Sequence, residues 1–320
     1  MPYKQFFRSV LCCYLLLSTV QAGAENTSFF SVTGGGDDNG GSDYSVSLDL
    51  AVGGIQLGGM YAKNESEIDL EINNPALTSP IILNHTLRTY TREVSIGSDP
   101  SQELSVTWRY SWWGLSNKLE ITTHRLELIY NTDDWRINLI PQRRSIDLHC
   151  KIHPIYYVSA TLQALFPNLP QYCADNPVLD IVSDDITIGL SYYGADPWFM
   201  RVDYTWYNYD RNIAALPSAP PIFTLFFHLA FPPFAVQQTY ALEDEHISLE
   251  LGYAFDTTRI GIHGSRGVSV VDDSVSTSVS LYLNWQMDKH WTMDIEGGVS
   301  EHSLSSGEVY FGSVGLTYGW

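Results

Sequence analysis

Hydrophobic and polar residues alternate with a period of two along most of this chain. Near its end, Val279, Leu281 and Leu283 share one face of an extended segment, and Ser278 and Ser280 share the other. Because successive side chains of a β-strand point to opposite faces, this pattern predicts strands with one apolar and one polar face. Most such segments are about nine to eleven residues long, which is the length that a tilted strand needs to cross a bilayer.

The alternating pattern recurs about fourteen times and indicates how the strands are connected. Every second connection is a short turn, whereas the long connections, at 64–86, 150–184 and 211–244, all fall on the opposite side. We therefore predict an all-β fold, an antiparallel up-and-down transmembrane β-barrel with short periplasmic turns and three long extracellular loops. A count of twelve remains open if the first segment is an arm and one other assignment is wrong. The predicted strands are 28–33, 44–51, 55–62, 87–97, 103–112, 119–130, 135–149, 185–192, 198–210, 245–255, 259–269, 275–285, 291–300 and 309–320.

Two of these segments depart from strict alternation. The apolar positions change parity near His124 and Arg125 in one segment, and near Pro141 in the next. A β-bulge would produce such a change, and proline is tolerated at bulges. We therefore predict one bulge in each of these two strands.

Aromatic residues are frequent and collect at the ends of the predicted strands. The chain has 20 tyrosines and 9 tryptophans. These two side chains favour membrane interfaces, and rings of them flank the apolar band of membrane barrels. The tryptophans assigned to such girdles are Trp112, Trp113, Trp135, Trp198, Trp285, Trp291 and Trp320.

The first 24 residues have the pattern of a secretory signal peptide. Lys4 and Arg8 precede an apolar run at 9–20, and the sequence AGA at 22–24 fits the small-x-small cleavage pattern. The apolar run is too short to anchor the chain by spanning a membrane. We predict a signal peptide at 1–24 and a barrel domain at 25–320.

Charge and cysteine usage narrow the range of partners. The formal net charge is −19, and loss of the leader with its two basic residues and no acid would make it −21. Because phosphate binding requires a basic face, we expect no nucleic-acid partner. Two of the four cysteines lie in the leader, and we predict that Cys150 and Cys173 form a disulfide in an oxidising compartment.

The last predicted strand carries a family resemblance. Tyr310, Val314, Leu316 and Tyr318 lie on one face of it with the terminal Trp320. This strand resembles the terminal strand of bacterial outer-membrane β-barrel proteins, which ends in an aromatic residue, in most members phenylalanine. The resemblance implies a porin-like protein that contacts outer-membrane lipid. It also implies that Tyr318 and Trp320 act as a signal for the barrel assembly machinery.

The polar faces of the strands predict a lumen lined by charges of both signs, with acids in excess. One interpretation is a water-filled pore that favours cations, because rings of carboxylates set such selectivity. The other is a set of interior salt bridges that hold the barrel closed, and the pattern leaves both open. The predicted lumen-lining residues are Asp49, Glu93, Arg109, Glu120, Arg136, Asp185, Arg201, Asp203, Glu250, Asp294 and Glu296.

Enzymatic activity is not predicted, and neither is a metal or another cofactor. His246 and Ser248 are spaced as in outer-membrane phospholipases, which they resemble in this respect alone. The neighbouring Ile247 and Leu249 belong to the apolar, lipid-facing side, so that His246 and Ser248 point inward. A site that hydrolyses lipid must face lipid, and we find no partner acid or amide for the pair.

The segment 216–236 is unusually apolar for an extracellular connection. Exposed apolar surface of this kind usually marks a contact, with a small solute, an apolar ligand, lipid or another protein. Our first hypothesis is a passive channel for small solutes in which this loop gates the mouth. The second is a closed barrel that acts as a surface scaffold or receptor, and the oligomeric state is open. The residues assigned to the gate or contact are Phe223, Phe226, Phe227, Phe231 and Phe234.

Overall fold

Fourteen antiparallel strands close into one barrel in the computed structural model of this chain. The predicted signal peptide at 1–24 lies outside the residues that the structure describes, and so does the apolar segment at 216–236. The described residues are 28–38, 40–72, 81–115, 119–150, 152, 155–175, 178–194, 197–210, 242–270, 275–302 and 308–320.

Each strand pairs with its neighbours in sequence, and the first strand pairs with the last. This up-and-down order confirms the predicted fold class and the count of fourteen. The strands are β1 (Phe29–Asp37), β2 (Ser42–Val52), β3 (Ile55–Ile72), β4 (Ile81–Ser98), β5 (Leu104–Leu115), β6 (Leu119–Asn131), β7 (Trp135–His149), β8 (Val178–Tyr192), β9 (Trp198–Trp206), β10 (Glu243–Ala254), β11 (Thr258–Ser269), β12 (Val275–Gln286), β13 (Trp291–His302) and β14 (Glu308–Gly319).

The barrel closes where its two ends meet. The main-chain N–H of Ser28 donates to the carbonyl of Trp320 at 3.1 Å, and the Trp320 N–H donates back at 3.0 Å. An even number of strands puts both ends on the same side, which is also the side of the short turns. The turn between β2 and β3 is the tightest, and Gly53 and Gly54 there have φ of 59° and 82°. Such left-handed angles favour glycine because it lacks a Cβ.

The first predicted long loop is mostly a β-ribbon. β3 and β4 stay paired beyond the predicted ends, up to the pair Ile72 and Ile81, so that only the connection 73–80 lies outside the described residues. β8 likewise begins at Val178 rather than at 185. These strands exceed the nine to eleven residues that a bilayer requires, so their extracellular ends extend beyond the membrane.

The predicted bulges near His124–Arg125 and Pro141 are wrong. The pairs Arg125–Gln142 and Leu128–Leu139 have one common register, and Pro141 pairs with Ile186 in an uninterrupted register with β8. In the described ladders, the one register shift lies between Glu243 and Glu245 of β10.

The apparent change of parity in β7 has an environmental cause. Its outward positions change from Ile137 and Leu139 to Arg143 and Asp147, while the inward Ile146 is fully buried. Below this point the outer face meets lipid, and above it the outer face meets water. The outer face of β7 therefore changes from apolar to polar at this point, while the backbone continues without a bulge.

Three short helices fold between β7 and β8, at Ile155–Val158 (α1), Ala160–Leu165 (α2) and Leu169–Asp175 (α3). Leu162 and Leu169 are fully buried, and the Tyr156 hydroxyl donates to the carbonyl of Phe166 at 3.0 Å. None of the helices in the described part of the chain is long and apolar enough to cross a membrane.

Candidate functional site: the barrel lumen

The outer surface of the barrel is an apolar band. Outward side chains from every part of the ring are widely exposed, for example Leu281 at 61% and Val314 at 54%. Exposure of so many aliphatic side chains to water would be costly, at about 25 cal/mol per Å² of apolar surface. The band is therefore a surface for lipid.

An aromatic girdle borders this band at the periplasmic end. Neighbouring strands bring rings together there, with 5.0 Å between the centroids of Trp135 and Tyr192 and 4.8 Å between those of Trp291 and Tyr318. Trp320 stacks on Tyr318 at 5.9 Å, so the proposed assembly signal residues are part of this girdle.

A second girdle lies toward the extracellular end. It contains Tyr44, Tyr61 and Tyr90, whose successive centroids are 6.2 and 6.4 Å apart. Trp112 belongs to this side, but Trp113 does not. The register pairs Trp113 with Ile121, which is buried and faces the interior, so the prediction that Trp113 belongs to a girdle is wrong.

The sheet register places ten of the eleven predicted lumen residues on the inward face. Glu120 is the exception, because it pairs with Asp147 on the outward face of β6 and β7. Its assignment depended on the bulge that the structure lacks. Ile121, next to it, points inward and is buried in the same row as Ile146 and Ile181. The ten inward residues are Asp49, Glu93, Arg109, Arg136, Asp185, Arg201, Asp203, Glu250, Asp294 and Glu296.

Five inward arginines lie on β5, β6, β7 and β9 and form what we call the arginine arc. Arg109 contacts Glu93 at 2.8 Å and Glu127 at 3.1 Å, and Arg125 contacts Glu127 at 2.9 Å. Ion pairs within and between neighbouring strands thus connect β4, β5 and β6 on this wall. The members of the arc are Arg109, Arg125, Arg136, Arg144 and Arg201.

Arg144 is the most deeply buried member of the arc. Its Nε donates to Asp185 at 2.6 Å, and the two side chains are 8% and 0% exposed. The guanidinium also lies 4.5 Å from the ring centre of Tyr207 and 3.4 Å from the Tyr209 hydroxyl. Both tyrosines follow β9 on the extracellular side, and burial raises the pKa of each phenol. The cluster ties the beginning of the 207–242 connection to the inner wall.

The opposite wall carries acids without arginines. We define the acidic arc as Asp43 and Asp49 of β2 with Asp294 and Glu296 of β13. β14 and β1 lie between these strands, and in a ring of fourteen they are diametrically opposite β7 and β8. The four carboxylates form no ion pair within the described part of the chain, although Asp294 accepts a hydrogen bond from Asn284 at 2.6 Å.

Serines and glycines are frequent around the acidic arc, although Phe29, Tyr282 and Phe311 also face inward there. Serine hydroxyls meet across the strands, with 2.9 Å between Ser31 and Ser47 and 2.8 Å between Ser265 and Ser278. Among the described inward positions from β12 through β14 to β4, no lysine or arginine occurs. The wall of β12 to β3 therefore lacks the long cationic side chains that characterise the arginine arc.

The periplasmic mouth contains a cavity of about 320 Å³ beside the arginine arc. Arg136 and Arg259 line it, and the Arg136 guanidinium lies 5.3 Å from the ring centre of Tyr193. Asp133 and Asp134 line it as well, so the cavity carries both signs of charge.

Several inward charges escaped the sequence reasoning. Arg125, Glu127 and Arg144 lie in the two strands for which bulges were predicted, and Glu243 adjoins the register shift of β10. Strict alternation carried on from Arg136 would have identified Arg144. Arg259 is the second residue of β11 and the first residue of the predicted strand 259–269.

The other sequence candidates have varied outcomes. His246 and Ser248 face inward, and His246 lies 3.2 Å from Glu243. In the described part of the chain, no cluster of histidine, cysteine or acidic residues is suited to hold a metal. Cys150 and Cys173 are joined by a disulfide that closes the loop containing α1 and α2. Phe223, Phe226, Phe227, Phe231 and Phe234 lie outside the described residues.

Together, the closed ring, the even strand number, the apolar band between two girdles and the polar interior define a transmembrane β-barrel of the bacterial outer membrane. A scan against models of known families finds no match, and neither does a search of curated proteins. Solved structures give matches over nearly the whole chain. OmpT, an outer membrane protein of Vibrio cholerae, is 10% identical with a TM-score of 0.45, and covers 93% of this chain and 99% of its own.

Two further solved barrels are similar at the same level. OccAB1 of Acinetobacter baumannii is 9% identical with a TM-score of 0.40, over 95% of this chain and 99% of its own. The KdgM porin is 10% identical with a TM-score of 0.39, over 91% and 98%. Scores this low reflect the common barrel shape, and the class assignment rests on the barrel of this chain itself.

Proposed function

We propose that the protein is a passive outer-membrane channel for small hydrophilic solutes, with a preference for cations. The observation that carries the proposal is the separation of charge between the acidic arc and the arginine arc on opposite walls of the lumen. A barrel that is merely held shut by salt bridges would pair its inward charges, as Arg109, Arg125, Arg144 and Arg201 are paired, and would leave no wall of acids without ion pairs.

The size of the barrel is compatible with a channel. Fourteen strands that lie about 4.8 Å apart and tilt by about 40° close a ring of about 14 Å backbone radius. Arginine side chains fill part of this space from one side, whereas the described inward positions of the opposite wall carry no arginine or lysine. We infer that the solute path runs along the wall of β12 to β3.

The preference for cations follows from which charges are neutralised. Glu127 and Asp185 offset the arginines Arg109 and Arg144, and Asp203 offsets Arg201 at 2.6 Å. The carboxylates of the acidic arc form no ion pair in the described residues, and Arg109 acts on Asp49 only through space. These carboxylates therefore attract mobile cations into the lumen, as carboxylate rings do in cation channels.

Planar bilayer recordings across a KCl gradient test both parts of the proposal. The wild type should give discrete conductance steps and a reversal potential on the cation-selective side. Asp49→Asn with Glu296→Gln should move that potential toward zero, whereas Glu301→Gln on the outward face of β13 should leave it unchanged. Folded protein without conductance at any voltage would refute the channel. A reversal potential unchanged in the double variant would refute the role of the acidic arc.

The gating of the mouth by 216–236 remains a prediction from the sequence. Deletion of 216–236 should increase conductance and reduce closures if the segment narrows the mouth. The second candidate, a closed barrel acting as a surface receptor, is favoured by the disulfide-bonded helical loop, which exposes Tyr157 and Val158 to solvent at 60% and 84%. This alternative would be supported if the barrel shows no conductance and Tyr157→Ser abolishes the binding of a partner.

A further inference from the structure

Positive charge is concentrated at one place on the outer surface of this acidic protein. Lys63 of β3 and Arg88 and Arg92 of β4 all lie on the outward face, because their register partners are the outward Tyr90, Glu65 and Tyr61. We call these three side chains the basic patch. They stand out in a chain whose formal net charge is −19.

The basic patch keeps an excess of positive charge. Lys63 and Arg88 share one carboxylate, that of Glu65, at 3.2 and 3.0 Å. Arg92 lies 5.3 Å from the ring centre of Trp112 and forms no ion pair within the described residues. Two other outward cations among the described residues, Arg143 and Arg266, are each paired with one carboxylate, that of Asp184 and that of Glu245.

The patch also lies at the level of lipid head groups. Lys63 follows the turn at Gly54 by nine residues, which for a tilted strand is about 23 Å above the periplasmic turns. That height is close to the upper edge of an apolar band of about 25 Å. Tyr44, Tyr61 and Tyr90 of the extracellular girdle alternate with the basic side chains across the strands.

We propose that the basic patch binds a phosphate group of an outer-leaflet lipid. Cations on long side chains beside interfacial aromatic rings are suited to an anionic head group, and each exposed lysine or arginine adds favourable electrostatic free energy near an anionic surface. The arrangement offers two cations around one carboxylate and a third cation stacked on tryptophan. A phosphate could accept hydrogen bonds from Arg88, which is 60% exposed, and from Lys63 on the same face.

Native mass spectrometry of the refolded, lipid-free barrel tests this proposal with diphosphorylated lipid A as the probe. The triple variant Lys63→Gln, Arg88→Gln, Arg92→Gln should bind the lipid about 100-fold more weakly, because it loses three positive charges. Arg266→Gln is the matched control, since Arg266 is also outward but is paired with Glu245 at 3.5 Å. Its lipid affinity should equal that of the wild type.

A second variant keeps the proposal testable if the triple variant does not fold. Glu65→Gln removes the carboxylate that competes with phosphate for Lys63 and Arg88, and should tighten lipid binding about fivefold. Resistance of the barrel to unfolding in SDS without heating reports folding in each case. Equal binding of lipid A stripped of its phosphates, or equal binding of inorganic phosphate, would overturn the proposal. So would a loss of affinity in Arg266→Gln that matches the triple variant.

Discussion

The buried ion pair of Arg144 and Asp185 provides the sharpest test of the inner wall. Asp185→Asn keeps the size of the side chain but removes the negative charge opposite a buried guanidinium. Breaking a buried pair from one side costs about 3–5 kcal/mol, because the remaining charge is left uncompensated. Arg144 retains Tyr207, Tyr209 and Ser183 as neighbours. We therefore expect the lower value, a loss of about 3 kcal/mol in the free energy of unfolding.

Asp203→Asn is the matched control for this change. Arg201 and Asp203 face the same lumen and also approach to 2.6 Å, but they are 41% and 14% exposed, against 8% and 0% for the buried pair. Partial hydration screens the charge that is left behind, so this substitution should cost about 1 kcal/mol or less. Distance and residue types are the same in the two pairs, whereas burial differs and Arg201 keeps the attraction of Glu250.

Denaturant unfolding in detergent micelles, followed by tryptophan fluorescence and by electrophoretic mobility, measures both losses. The dependence of the free energy on denaturant should stay unchanged, since the same surface is exposed on unfolding. The double variant Arg144→Met, Asp185→Leu should recover at least half of the loss, because it removes the desolvation cost of both charges. If Asp185→Asn and Asp203→Asn differ by less than about 0.5 kcal/mol, burial does not decide the strength of these pairs, and the reasoning fails.

Three further predictions concern the two ends of the barrel. Asp288 accepts two main-chain N–H donors in its periplasmic turn, which lowers its pKa below the ordinary 3.8. Asp288→Asn should therefore destabilise the barrel at neutral pH. The difference in unfolding midpoint between this variant and the wild type should vanish as the pH falls through the lowered pKa. A difference that stays constant with pH would contradict this prediction. Replacing Cys150 and Cys173 with serine should lower the free energy of unfolding in denaturant by about 3 kcal/mol and should make the enclosed loop more sensitive to proteases. A loop that resists proteases as well as the wild type does would argue against the disulfide. Leu162→Ala should destabilise the helical loop by about 3 kcal/mol, because it removes a fully buried side chain. Hydrogen exchange in α1 to α3 should become faster, while the unfolding midpoint of the barrel stays unchanged. A lowered unfolding midpoint of the barrel would mean that the loop and the barrel unfold together.

Local pattern was sufficient to predict the strands and most of their faces. The two-residue period is a property of a single strand, so Asp49, Arg201 and Glu296 could be assigned to the inner face before any pairing was known. Connection lengths were equally informative, because turns of a few residues leave no room for anything except an antiparallel neighbour. The fold class and the strand count followed from these two signals.

The same local pattern failed where a strand left the membrane. In β6 the sequence alone favoured a bulge, because the apolar positions change parity near His124 and Arg125. The register leaves the backbone regular and turns Glu120 outward into water, with Ile121 buried inside. Alternation identifies the two faces of a strand, but which face is polar depends on what surrounds the barrel at that height.

Pairing across the lumen wall was decided by the tertiary structure alone. Asp185 meets Arg144, 41 residues away in sequence, because β7 and β8 align with one particular register, and no local signal fixes that register. Closure of the ring then places the acidic arc opposite the arginine arc, although β2 and β13 lie near the two ends of the chain. The sequence by itself determined a barrel with a charged interior. The tertiary structure decided where those charges meet, because register and closure arise between strands and not within them.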